Sequence, residues 1–146
     1  MDNSLVIKPK SQQTKEKAPT GLQAACCVDA INLGIQPTKF GEKDLLNLVW
    51  ELQATDSNGK HFYLIRKYTK SLHPKSNLRS DLERWRGAPF DEEDLRQGFD
   101  LTNVIGKSCM LYLEDRDGFI AIESVLPPED EFQYKPSGNY SRDSNR

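Results

Sequence analysis

Cysteine and histidine are scarce in this 146-residue chain: three of the first, Cys26, Cys27 and Cys109, and two of the second, His61 and His73. There is no CxxC spacing. Cys26 and Cys27 are neighbours, so on an extended strand they point to opposite faces and cannot chelate together. This argues against a structural zinc site and sets the expectation of a reduced, cytosolic protein. Long apolar runs are also missing. No window approaches the roughly 18 apolar residues of a membrane span. The opening stretch, MDNSLVIKPKSQQTKEKAPT, lacks the apolar run of a signal peptide. No internal repeat, Ser/His/Asp spacing, Gly-rich phosphate loop or metal-ligand cluster is visible, so neither catalysis nor a cofactor is expected. The acidic runs DEED (91–94) and EDRD (114–117) have the composition of divalent-metal ligands in a nuclease. Helix-start acids and a hairpin turn explain them more simply.

What is present is enough for one domain with a modest core: 36% hydrophobic and 29% charged residues. The formal net charge of −2 hides an uneven distribution. Residues 60–87 carry a net +6, and residues 88–132 a net −9. A basic middle of this kind can bind a polyanion locally while the acidic part stays away from it. A mixed-charge surface without that function is the bland alternative, of about equal weight on charge alone.

Residues 1–20 read as a flexible polar arm, with a short ordered piece at LVIK, and residues 128–146 as a flexible polar tail; residues 21–127 form the domain between them. Strand signals come first, at 22–34 and at 43–55, where Leu46, Leu48, Trp50 and Leu52 alternate against Asn47 and Glu51. DSNG (56–59) turns the chain into a third strand, KHFYLIRKYT (60–69). The period then changes. Pro74 suits a first helical position, Leu78, Leu82 and Trp85 recur on one helical face, and Gly87 suits a left-handed stop. Asp91 and Asp94 resemble an acidic capping box opening a brief turn. Two more strands follow, at 108–117 and 119–127, joined at Asp117-Gly118. The order β-β-β-α-β-β predicts a mainly β protein: a five-stranded OB-fold-like barrel with a helix between strands 3 and 4, a fold that binds oligonucleotides or oligosaccharides. Five strands wired otherwise remain open.

The stretches KYTKSLHPKSNLRSDLERWRGAPF (67–90), FDLTNVIGKSC (99–109), VDAINLG (28–34) and LVWEL (48–52) together resemble a family of small bacteriophage proteins encoded among replication and recombination genes. That resemblance covers residues 21–127. It implies a non-catalytic single-stranded DNA-binding protein, working in the cytoplasm of the bacterial host and away from membranes. It implies phage or host replication and recombination proteins as further partners, and is compatible with a homo-oligomer. Many bacterial single-strand binders recruit enzymes through an acidic C-terminal tip closing on Phe. Here the acidic cluster PEDEF (128–132) lies inside the tail, where a solvated segment is the simpler reading.

Single-strand binding needs cations along the phosphates and flat side chains on which bases stack. In the third strand Phe62, Leu64, Arg66 and Tyr68 share one face and His61, Tyr63, Ile65 and Lys67 the other. Each face carries an aromatic and a cation. Arg66 and Tyr68 are assigned to the groove, with Phe62 and Leu64 dipping inward where a barrel closes. Lys67, Lys70, Lys75 and Arg79 continue the basic path into the helix. Trp50 and Trp85 read as core, whereas Tyr112, out of phase with Cys109, Leu111 and Leu113, reads as an outward stacking residue. His73 reads as a helix N-cap. Arg84 and Arg86 read as partners of Glu83 or of the acidic turn. The competing function is a protein-interaction module, an accessory factor for a phage recombinase or helicase. The discriminating feature is whether Arg66, Lys67, Tyr68 and Tyr112 line one open groove.

Overall fold

A computed structural model describes residues 16–129 and 133–142; the expected ordered piece at residues 5–8 lies outside them. Five strands, β1 (Gly21–Thr38), β2 (Gly41–Thr55), β3 (His61–Thr69), β4 (Ser108–Arg116) and β5 (Phe119–Leu126), form one antiparallel sheet in the order β3-β2-β1-β4-β5. Between β3 and β4 come helix α1 (Asn77–Arg86), the short helix α2 (Glu92–Gln97) and a 3₁₀ turn at Leu101–Val104.

The alternation in β2 decides which side is core. Leu46, Leu48, Trp50 and Leu52 are all buried on the inner face, where they meet Ala25 and Cys27 of β1, Leu111 and Leu113 of β4 and Val125 of β5. Helix α1 lays Leu78, Leu82 and Trp85 onto this face. The Trp50 and Trp85 rings lie 5.0 Å apart, and the Trp85 indole N–H donates to the Ser108 carbonyl at 2.7 Å. Both tryptophans are therefore core residues, as their spacing predicts.

The expected barrel does not close. β3 and β5 are the two ends of a linear sheet, and α1 packs against both of them. Register shifts at Cys27/Asp29 and Asn32/Gly34 bend β1, as bulges do, and this curls the sheet around the helix.

The local stops follow the sequence. Gly87 ends α1 in the left-handed region (φ 72°), its N–H returning to the Arg84 carbonyl. At the β4–β5 turn Asp117 (φ 54°) and Gly118 (φ 91°) take the two positive-φ positions of a tight hairpin. The start of α1 differs from expectation. Pro74 and Lys75 form a turn, His73 Nδ1 accepts the Lys75 N–H, and Ser76 is the true cap, its Oγ accepting the Arg79 N–H at 3.0 Å. A serine hydroxyl three residues before a free amide fits this role better than an imidazole on a bulkier side chain. Asp91 and Asp94 form the expected capping box of α2.

The expected C-terminal tail is not free over residues 133–142. It lies on the outer face of β1 and β2, where Tyr134 and Tyr140 pack against Cys26, Val28 and Val49. The same holds on a smaller scale near the N-terminus: Ala18 is buried and Glu16 accepts from the Ser57 N–H at 3.0 Å.

Candidate nucleic-acid interface

The inner face of β3 takes the even residues. Tyr68 is 2% exposed and its hydroxyl donates to Asp81 Oδ2 of α1 at 2.6 Å. Burial, reinforced by the Asp81 charge, pushes that hydroxyl far above the usual tyrosine range. Arg66 sits 3.0 Å from the same carboxylate oxygen, and Arg84 reaches Asp81 Oδ1 at 3.3 Å. Of the expected groove pair, Arg66 is tied to Asp81 of the helix, and Tyr68 is almost fully buried, touching only the wall of the groove described below. They form a clamp between β3 and the helix, Tyr68 buried and Arg66 partly buried, because α1 covers the face on which they lie.

The outer face takes Tyr63, Ile65 and Lys67, all exposed. Lys67 stands opposite Asn47 on β2, which in turn faces Ile31 on β1. Toward the open end of this face β1 and β2 run on past β3 as a two-stranded arm, Gly34 to Thr38 against Gly41 to Leu45. At its tip Thr38 Oγ1 donates to the Gly41 carbonyl at 2.6 Å and accepts the Phe40 N–H at 3.1 Å. These bonds fix the turn and leave the Phe40 ring 78% exposed, with Lys39 Nζ 5.4 Å from its centroid.

Between this arm and the β3–α1 corner lies an open groove of about 910 Å³. Lys43, Lys67, Lys75 and His73 line it, Leu33, Leu45 and Phe40 give it apolar surface, and no Asp or Glu among the described residues is in its wall. Among the described residues no carboxylate pairs with Lys39, Lys43, Lys67 or Lys75. A groove with free cations and an exposed ring has both ingredients of single-strand binding.

The structure gathers only part of the expected set here. Lys67 and Lys75 line the groove, and Tyr68, though almost fully buried, forms part of its wall. Lys70 lies at its margin, tied to Asp44 at 3.5 Å and to Asn32 Oδ1 at 3.2 Å. Arg79 is committed elsewhere, to Glu83 at 3.2 Å and the Leu72 carbonyl at 3.1 Å. Arg86 pairs with Asp94 of the acidic turn at 3.5 Å and lies over Phe90. Tyr112 is 41% exposed on the outer face, as its phase predicts, but it pairs with Leu22 near the opposite end of β1. Nine residues of strand separate Leu22 from Ile31, which is about 30 Å. Arg66, Lys67, Tyr68 and Tyr112 therefore do not line one groove. Phe40 and Lys43 were not anticipated; the signal for Phe40 was a lone aromatic beside Lys and Gly at a hairpin tip.

The middle of the same outer face holds two fully buried carboxylates. Glu51 accepts the Tyr63 hydroxyl at 2.7 Å, the Ser137 N–H at 2.9 Å, the Ser137 hydroxyl at 2.8 Å and the Tyr134 hydroxyl. Burial raises its pKa, but these donors outweigh burial and hold it below the ordinary glutamate value. Asp29 accepts the Tyr140 hydroxyl at 2.7 Å and Arg142 Nε at 2.8 Å. The buried thiols are inert: burial pushes Cys26 and Cys27 up to about 12, so both stay protonated near neutrality. No group of three or more His, Cys, Asp or Glu among the described residues is placed to hold a metal. No described helix is long and apolar enough to cross a membrane. A comparison of the chain with protein-family models and with curated proteins finds no match.

Proposed function

We propose that the protein is a non-catalytic, OB-type single-stranded DNA-binding protein of phage replication and recombination, acting in the cytoplasm of the bacterial host. The groove between the β1–β2 arm and the β3–α1 corner is its binding site. The wall of that groove, which holds no carboxylate among the described residues and sets Lys43, Lys67 and Lys75 beside the exposed Phe40, carries the reading. The OB assignment is supported by the strand order: β3 and β5, the pair that would meet in a closed barrel, are the two free edges of a curled sheet. Binding is through phosphate contacts and stacking, with little sequence preference.

The test is fluorescence anisotropy of a dye-labelled oligo-dT at low and high salt, with duplex DNA as competitor. A labelled strand is the right reporter because Trp50 and Trp85 are both buried away from the groove. Single-strand binding that weakens with salt is expected; absence of binding at low salt overturns the reading.

A second reading, a protein-interaction module, is favoured by two observations. The residues first expected to form one DNA groove are dispersed. A separate apolar cleft of about 760 Å³ opens between the β3 and β5 edges, beside Phe62, Leu64, Ile120 and the exposed Phe119.

A further inference from the structure

Residues 133–142 contain Lys135 and Arg142 and no acidic residue. They lie on the outer face between the groove at Lys67 and the far end of β1 at Tyr112. Under them are Asp29 and Glu51, both fully buried. Along β2 the same face runs Asn47, Val49, Glu51; Lys67 stands opposite Asn47 and Asp29 opposite Val49. Same-face neighbours on a strand are about 7 Å apart. The two carboxylates therefore stand roughly one to one and a half Debye lengths from a phosphate held at Lys67. A bare sheet would present two negative charges to any strand leaving the groove along β1. The docked segment gives Glu51 three hydrogen bonds, from Tyr134 and from the backbone and hydroxyl of Ser137, and pairs Asp29 with Arg142.

We infer that residues 133–142 are a working part of the nucleic-acid face: by covering Asp29 and Glu51 and bringing Lys135 and Arg142 onto the sheet, they make an acidic stretch of surface passable for a phosphate backbone. This rests on the single-strand-binding reading above. It has the opposite sign to a tail that competes with DNA for the sheet.

The experiment compares the full chain with one ending at residue 132, by anisotropy of the labelled oligo-dT in low salt. Truncation removes Lys135, Arg142, Arg146 and Asp143, a net loss of two positive charges, and uncovers two carboxylates that were already ionised. We expect binding to weaken about tenfold, equivalent to about 1.4 kcal/mol. Adding Asp29→Asn and Glu51→Gln to the truncated chain should recover about threefold, the share of the loss that the lost cations do not carry. Should the truncated chain fail to fold, the full-length Lys135→Gln/Arg142→Gln variant, which keeps Tyr134 and Tyr140 in place, decides instead with an expected loss of about threefold. Truncation that leaves affinity unchanged or tightens it overturns this inference while the function reading stands. A full chain that does not bind oligo-dT at all overturns both.

Discussion

Replacing Tyr68 separates the two roles an aromatic on β3 could have. Its ring is packed in the core and its hydroxyl donates to a buried carboxylate, Asp81, 5% exposed, at 2.6 Å. Tyr68→Phe keeps the ring and deletes only the donor. Arg66 and Arg84 remain close to Asp81 after the change, at 3.0 and 3.3 Å, so the carboxylate is not stranded. A hydrogen bond to a charged group contributes about 1.5–3 kcal/mol, and with the two arginines still in place the loss should be near 2 kcal/mol. At a urea slope of about 2 kcal/mol/M this moves the unfolding midpoint down by about 1 M. Affinity for oligo-dT, measured well below that midpoint, should stay within twofold. Tyr68→Leu is the companion variant: it should also destabilise the fold, and the folded fraction should bind as before. The reverse pattern, an unchanged midpoint for Phe and roughly tenfold weaker binding for Leu, is what a base-stacking Tyr68 would give, and it would refute the inward assignment.

Phe40→Ala should leave stability within about 0.5 kcal/mol, since the ring is exposed. It should weaken oligo-dT binding by one stacked base, about 1–3 kcal/mol, read as a change in Kd with no change in salt slope. Lys67→Gln and Lys75→Gln should each weaken binding modestly and lower the slope of log K against log salt by about 0.7, so a slope that does not move removes those residues from the interface. Glu51 is held below its unfolded pKa, so its contribution is complete above the ordinary glutamate range and is lost as pH falls through the depressed folded value. Acid titration of the full chain should therefore show a loss of stability that Glu51→Gln abolishes; equal acid sensitivity of the two proteins would contradict it.

Much of the fold was legible because its signals are local. Period-two alternation in Leu46–Leu52, the Asn58-Gly59 and Asp117-Gly118 turns and the Leu78/Leu82/Trp85 stripe each depend on residues a few positions apart. The choice of face on β3 was not legible, because Tyr63 with Lys67 and Tyr68 with Arg66 are chemically alike and only the position of α1 separates them. Closure was not legible either, since order alone does not say how far a helix holds β3 from β5. The packed segment 133–142 was missed because its contacts are made with residues about a hundred positions earlier. A clue was there: Asp29 in CCVDAI and Glu51 in LVWEL are acids inside runs that must be buried, and a buried acid calls for partners.

The place of β1 at the centre of the sheet has a kinetic consequence. Its pairing with β2 closes at a two-residue turn, and β3 follows as the next hairpin, so the three-stranded half can form from short-range contacts. Its pairing with β4, from Gly21↔Leu113 to Cys26↔Ser108, must close a loop of about 80 residues. The meander is expected to lead and β4–β5 to arrive late. Conservative truncations at Val49 should then slow folding, whereas truncations at Leu111 should act mainly by speeding unfolding.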